Sequence, residues 1–182
     1  MSGLTAISLL LGAYLAVFLE SSCQWVRHAL GAQIDLLPCL AVYAGCRTDL
    51  WTLVALALFG GLSFDAMTAN PLGVSTVPLF LIGFGTYRYR DKILREQVFA
   101  QAMLGIGACA FAPLLTLGLM LVSGAQPVYG WGTAWQILVM AVGGLATPFC
   151  FRLFNHFNHA FAYPVAAESS FRPDREIKRG KS

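Results

Sequence analysis

The chain has 182 residues, of which 57 % are hydrophobic and only 12 % charged. Soluble domains carry roughly 25 % charged residues, so this composition points to a membrane protein and leaves no room for a separate soluble catalytic domain. The net charge is +3, and five of the twelve Lys/Arg (Arg172, Arg175, Lys178, Arg179, Lys181) fall in the last eleven residues. Apart from that tail and one loop there is no basic face, which argues against a nucleic-acid partner.

Six apolar segments follow in chain order: Gly3–Leu19, about Gly31–Cys46, Leu50–Met67, Gly73–Tyr87, Val98–Val122 and Thr133–Leu153. The first lacks a basic start, and its apolar run is too long for the core of a signal peptide, so it reads as a retained helix. The second is short and contains Pro38. A membrane helix needs around 20 apolar residues to cross roughly 30 Å. The second and fourth segments fall short of that, so they must run untilted, continue into polar flanks or cross in part. "CQWVRHALGAQ" (23–33) mixes Trp25, Val26 and Leu30 with Arg27 and His28 and reads as an interfacial turn or short helix. After Tyr163 the chain turns polar, and residues 154–182 are expected to form a basic cytoplasmic tail, partly disordered.

Charge placement orders the segments. With the N-terminus inside and six crossings, eleven Lys/Arg lie on the cytoplasmic side: Arg47, Arg88, Arg90, Lys92, Arg95, Arg152 and the five tail cations. Only Arg27 lies outside. The loops are short, so the positive-inside rule applies. The expectation is an all-α membrane protein, a six-transmembrane-helix bundle over residues 1–153, with both termini cytoplasmic. Tyr87, Tyr89, Trp131 and Trp135 stand at segment ends as interfacial anchors. The basic loop and tail suit anionic membrane lipids or cytoplasmic partners.

Catalytic sets are sparse. The sequence has no HExxH, GxSxG or GxxxxGK[ST]. Its nine acidic residues are scattered, and Glu20, Asp35 and Asp49 sit at helix ends, where a carboxylate is ordinarily solvated; Asp35 and Asp49 also lie near helix starts, which favour negative charge. His156 and His159 share a helical spacing but lack an acidic or thiol companion. The five cysteines form no CxxC and read as small packing hydrophobes. No enzyme activity, cofactor or metal is expected. In the first helix Ser8, Gly12 and Ala16 form a small-residue stripe suited to close helix approach, within this chain or with a partner.

"GGLSFDAMTANPLGVST" (60–76) is the unusual stretch. Asp65 lies about 22 Å along the third segment from Leu50, near its outer end. There it opposes the helix dipole, so it calls for a partner. The Thr68, Ser75 and Thr76 hydroxyls, the amides that open the fourth helix, and Arg27 are the candidates. "NPLG" (70–73) reads as a tight reversal. Gly61-x-x-x-Asp65-x-x-Thr68-x-x-Pro71-Leu72-Gly73 at this junction resembles the signature region of the rod shape-determining MreD family. "DLLPCLAVYAG" (35–45) is similar to that family's entry into its second helix, although Pro38 inside the helix and the long tail depart from it.

The resemblance covers about residues 3–153. It implies a non-catalytic scaffold of the bacterial cell-elongation machinery in the inner membrane. An MreC-like protein would be its partner, together with MreB, RodA and a penicillin-binding transpeptidase. It also implies a fold similar to the substrate-binding subunits of energy-coupling-factor transporters. Ser8, Gly12 and Ala16, the Gly61–Gly73 junction (Gly61, Asp65, Thr68, Asn70, Pro71, Gly73) and the basic loop (Arg88, Arg90, Lys92, Arg95) are the candidate contacts. The alternative is a small-molecule-binding subunit of a transporter. It requires an outward pocket with convergent polar side chains, for which the outer half offers few candidates: Asp65, Thr68, Asn70, Gln33 and Gln126. A small-molecule ligand is therefore not expected.

Overall fold

The computed structural model describes residues 3–22, 31–68, 71–90, 97–124 and 131–161. Their regular structure is all helical, with no strand among the described residues. The helices are α1 (Gly3–Ser22), α2 (Leu37–Arg47), α3 (Leu50–Met67), α4 (Thr76–Tyr89), α5 (Val98–Val122), α6 (Trp131–Gly143) and α7 (Thr147–Phe161). A 3-10 turn, Gly144–Ala146, joins α6 to α7. Among the described residues, three stretches are long and apolar enough to cross a membrane: Leu50–Met67, Val98–Val122 and Trp131–Phe157. Many large apolar side chains face outward, among them Leu11, Phe59, Phe84, Phe111, Leu138 and Phe149. This suits hydrocarbon surroundings and would be an aggregation hazard in water.

α2 is the centre of the fold. Every residue from Leu37 to Cys46 is buried, and a helix apolar on all sides belongs in a core. It packs against α1, α3, α4, α5 and α7. Tyr43 is fully buried between Phe151, edge-on at 5.0 Å, and Phe154 at 5.2 Å. With eleven residues α2 is only about 16 Å long. The second segment thus differs from its expected span of Gly31–Cys46. Its first six residues are non-helical, and the helix begins at Leu37. Pro38 is consequently not inside the helix but in its first turn, where a missing N–H costs nothing.

Glycines set the closest helix crossings. A methyl group at Gly45 of α2 would overlap Thr86 and the Gly83 carbonyl of α4. One at Gly105 of α5 would overlap Thr147 and the Gly144 carbonyl. Such small residues let backbones meet where apolar surface alone gives little drive for association. The Gly144 contact falls on the 3-10 turn that interrupts the sixth rod, a break not anticipated in the expected continuous segment Thr133–Leu153. α7 runs on to Phe161, past the boundary expected at residue 153.

The rods alternate in direction. A cavity at one end of the bundle is lined by the C-terminal ends of α1, α3 and α5 together with the N-terminal portions of α4 and α6 and the approach to α2. Arg47, Arg88 and Arg90 terminate α2 and α4 at the opposite end. Arg90 lies over the Tyr87 ring at 4.6 Å. Trp131 and Tyr89 are exposed, as interfacial anchors require. Arg27, Asn70, Lys92, Arg95 and the tail from residue 162 lie outside the described residues.

Candidate functional site

Two polar assemblies occupy the cavity end. The first joins α3 to α4. Asp65 is 1 % exposed, and its Oδ2 accepts the Gly73 N–H at 2.7 Å and the Ser75 N–H at 3.2 Å. Asp65 stands at the unfavourable end of its own helix. The amides that it holds, however, lead into α4, and a carboxylate is favoured at a helix N-terminus. The next helix therefore compensates what α3 opposes. Gly61 completes the junction. A methyl there would overlap the Thr76 main chain and hydroxyl, so α4 can start against α3 only at glycine.

The reversal itself sits one residue later than "NPLG". Val74 N–H donates to the Pro71 carbonyl at 3.3 Å, which makes Pro71–Val74 the turn. Pro71 is its first residue rather than its second. Gly73 takes the third position with φ +93°, as a type II turn demands. The Thr68 hydroxyl does not reach the carboxylate but bonds back to the Phe64 carbonyl at 2.9 Å. Asp65 Oδ1 and Thr76 Oγ1 are buried without a hydrogen-bond partner.

The second assembly organises the entry to α2. Gln136 of α6 clasps Gln33 twice: its Oε1 accepts the Gln33 N–H at 3.0 Å, and its Nε2 donates to the Gln33 carbonyl at 2.7 Å. Glu20 Oε1 accepts the Leu36 N–H at 2.6 Å, and Asp35 Oδ1 accepts the Leu37 N–H at 2.8 Å. Orphan amides at the start of α2 are thus met by carboxyl groups, again at the favoured end of a helix. Non-helical backbone at membrane depth is tolerated only when it is satisfied by protein or lines a cavity. Here side chains satisfy backbone groups of Gln33 and Leu36, and Gln33 and Asp35 line the cavity.

Glu20 and Asp35 correct the expectation of solvated helix-end carboxylates. Asp35 is only 8 % exposed, and Glu20 Oε2 is buried without a partner. Both line a cavity of about 670 Å³. Ser21, Gln33, Thr116, Thr133 and Gln136 add polar groups, while Leu117, Ile137 and Met140 form an apolar wall. Asp65 is not among the lining residues. Of the polar residues expected in the outer half, Gln33 and Thr68 line this space, and Gln126 lies outside the described residues. Glu20, Thr116 and Gln136 were not anticipated as lining residues. Asp35 does stand at a helix start, with its carboxylate on a free amide, but buried rather than solvated.

The small-residue stripe of α1 is used within the chain. Gly12 accepts the Phe154 ring of α7, and Ala16 lies in the core. The exposed side of α1 instead carries Ile7, Leu11, Tyr14, Leu15 and Phe18. Cys39, Cys109 and Cys150 cluster in the interior, with the Cys39 and Cys109 sulfurs 3.6 Å apart. No group of three His, Cys, Asp or Glu among the described residues is arranged to hold a metal. Protein-family models, curated proteins and solved structures all give no match to this chain.

Proposed function

We propose that this chain is a non-catalytic membrane scaffold of the MreD kind, working in the bacterial inner membrane with an MreC-like partner and peptidoglycan synthases. The observation that carries the reading is the α3–α4 junction. Gly61, Asp65 and Gly73, which carry the family resemblance, each have a physical task within this one junction. The exposed apolar side of α1 offers a lipid-depth surface for a partner's helix, since the Ser8/Gly12/Ala16 stripe is turned toward its own chain at Gly12. Arg88 and Arg90 face the cytoplasmic partners or anionic lipid.

Crosslinking in native membranes followed by mass spectrometry tests this reading. Recovery of an MreC-like protein and cell-wall synthases supports it. Recovery of ATPase subunits or a vitamin-like solute in their place overturns it. The cavity favours the second reading, a small-molecule-binding subunit, because it supplies the convergent polar groups which that reading requires.

A further inference from the structure

α5 is anchored before Pro113 and free of the core after it. Its buried residues are Gln101, Gly105, Ala108, Cys109 and Ala112, and none follows Ala112. The earlier half has little play. Gly105 meets the Gly144 carbonyl with no room for a methyl group, and the Cys109 sulfur lies 3.6 Å from that of Cys39 on α2. The later half turns Thr116, Leu117 and Met120 to the cavity. Leu114, Leu121 and Val122 are exposed, away from that face. The neighbouring rod is fixed at the same end, because Gln136 of α6 clasps Gln33.

The joint between the halves of α5 is weak by composition. Pro113 lies inside the helix. It has no N–H, so the Cys109 carbonyl loses its helical donor, and the proline ring crowds that same carbonyl. Within the next turn the Thr116 hydroxyl bonds back to the Ala112 carbonyl at 3.0 Å, a contact that weakens and bends helices. The segment after the joint still holds together. The N–H and the hydroxyl of Ser123 both close on the Leu119 carbonyl at 2.9 Å. An intact arm on a weak joint hinges as a unit, and a few residues suffice to absorb the change in backbone angles. We propose that residues 114–122 swing about the turn 113–116 and form the movable wall of the cavity. The swing changes the width of the cavity between α5 and the clasped α6, and it holds for a scaffold as for a ligand-binding subunit.

The test uses the full chain in lipid nanodiscs, with a keto amino acid encoded at two positions and coupled to nitroxides, so that the native cysteines stay in place. Double electron–electron resonance reads the distance from Leu58 on α3 to Leu121 after the joint, or to Met103 before it. All three side chains are exposed. The wild type is expected to give a distance distribution about twice as broad for the Leu121 pair as for the Met103 pair. In the double variant Pro113→Ala, Thr116→Val the helical N–H is restored and the back-bond removed, and the two widths become equal. An unchanged Met103 distance in that variant reports an intact fold. Equal widths in the wild type overturn the proposal, and so does a broad Leu121 distribution that survives in the double variant. Hydrogen exchange on the unsubstituted chain, read amide by amide, tests the hinge without any variant. Exchange about tenfold faster at residues 114–117 than at 102–112 or 118–121 supports it. A gradual rise toward Val122 is fraying of the helix end and overturns it, as does uniform exchange along α5.

Discussion

At the residue scale, Asp65 shows how a carboxyl group can be buried where two helices of an apolar bundle join. One oxygen takes two main-chain N–H groups that have no helical carbonyl to bond. Asp65→Ala removes the acceptor and strands both amides in a buried site, at about 1–3 kcal/mol for each unsatisfied group. Asp65→Asn keeps a carbonyl oxygen and is expected to be the milder change. Thermal unfolding in detergent should rank wild type above Asn and Asn above Ala. An alanine variant as stable as wild type would remove the junction from the folding argument. Gly61→Val is expected to be more severe than a surface change, because the obstructing atoms include the Thr76 main-chain N and Cα, which cannot swing aside as a side chain can. Overpacking of this kind costs about 1–3 kcal/mol, read in the same melts. The rod-growth phenotype of the Asp65 variants then separates folding from partner docking. An Asn variant that folds normally yet fails to support elongation assigns the junction a role in docking.

At the element scale, α2 explains what hydropathy makes visible and what it hides. Apolar runs mark five of the rods well, since lipid-facing and core-facing residues are both apolar. The same uniformity hides where α2 begins. Gly31, Ala32, Ile34 and Leu36 merge with the apolar run of the helix despite Gln33 and Asp35 between them, and the extended path is held by backbone pairing with Glu20, Asp35 and Gln136. Those partners are 16 and 103 residues distant in the case of Glu20 and Gln136, so no local pattern reveals them. The break at Gly144 is hidden for a related reason: it packs directly on the Gly105 backbone of another helix, a contact no local pattern announces. By contrast, Gly73 and Asp65 were legible, because a turn glycine and a dipole-opposing carboxylate are local signals. Gln136→Ala removes both clasps on Gln33. Hydrogen exchange at the amides of residues 33–37 is expected to accelerate by about tenfold or more, corresponding to about 1.4 kcal/mol of lost local stability. Exchange as slow as in the wild type would mean that the entry to α2 is held by Glu20 and Asp35 alone.

At the scale of the whole molecule, the two ends of the bundle differ in chemistry. One end gathers the cavity, two carboxyl groups, the Gln33–Gln136 clasp and the Asp65 junction, and no Lys or Arg among the described residues lines it. The other end carries Arg47 and Arg88 with Arg90, at the C-termini of α2 and α4, where cations also suit the helix dipoles. A cation excess on one side fixes orientation during insertion, so the arginine end is expected to face the cytoplasm and the cavity the exterior. A reporter fused after Ser123, at the end of α5, should read as external. One fused after Ser182 should read as cytoplasmic, on the same side as a fusion after Arg90. The second fusion is the decisive one. Between Trp131 and Phe157 the rod is long enough to cross once, but it contains the Gly144–Ala146 break. If the break turned the rod back, the C-terminus would emerge with the cavity, and the tail cations would lie opposite Arg88. The packing of Gly144 and Thr147 against Gly105 in the first third of α5 instead places α7 beside the α5 end far from the cavity. An external reading after Ser182 would therefore contradict both the charge asymmetry and the α5–α7 contact, and would reduce the number of crossings to five.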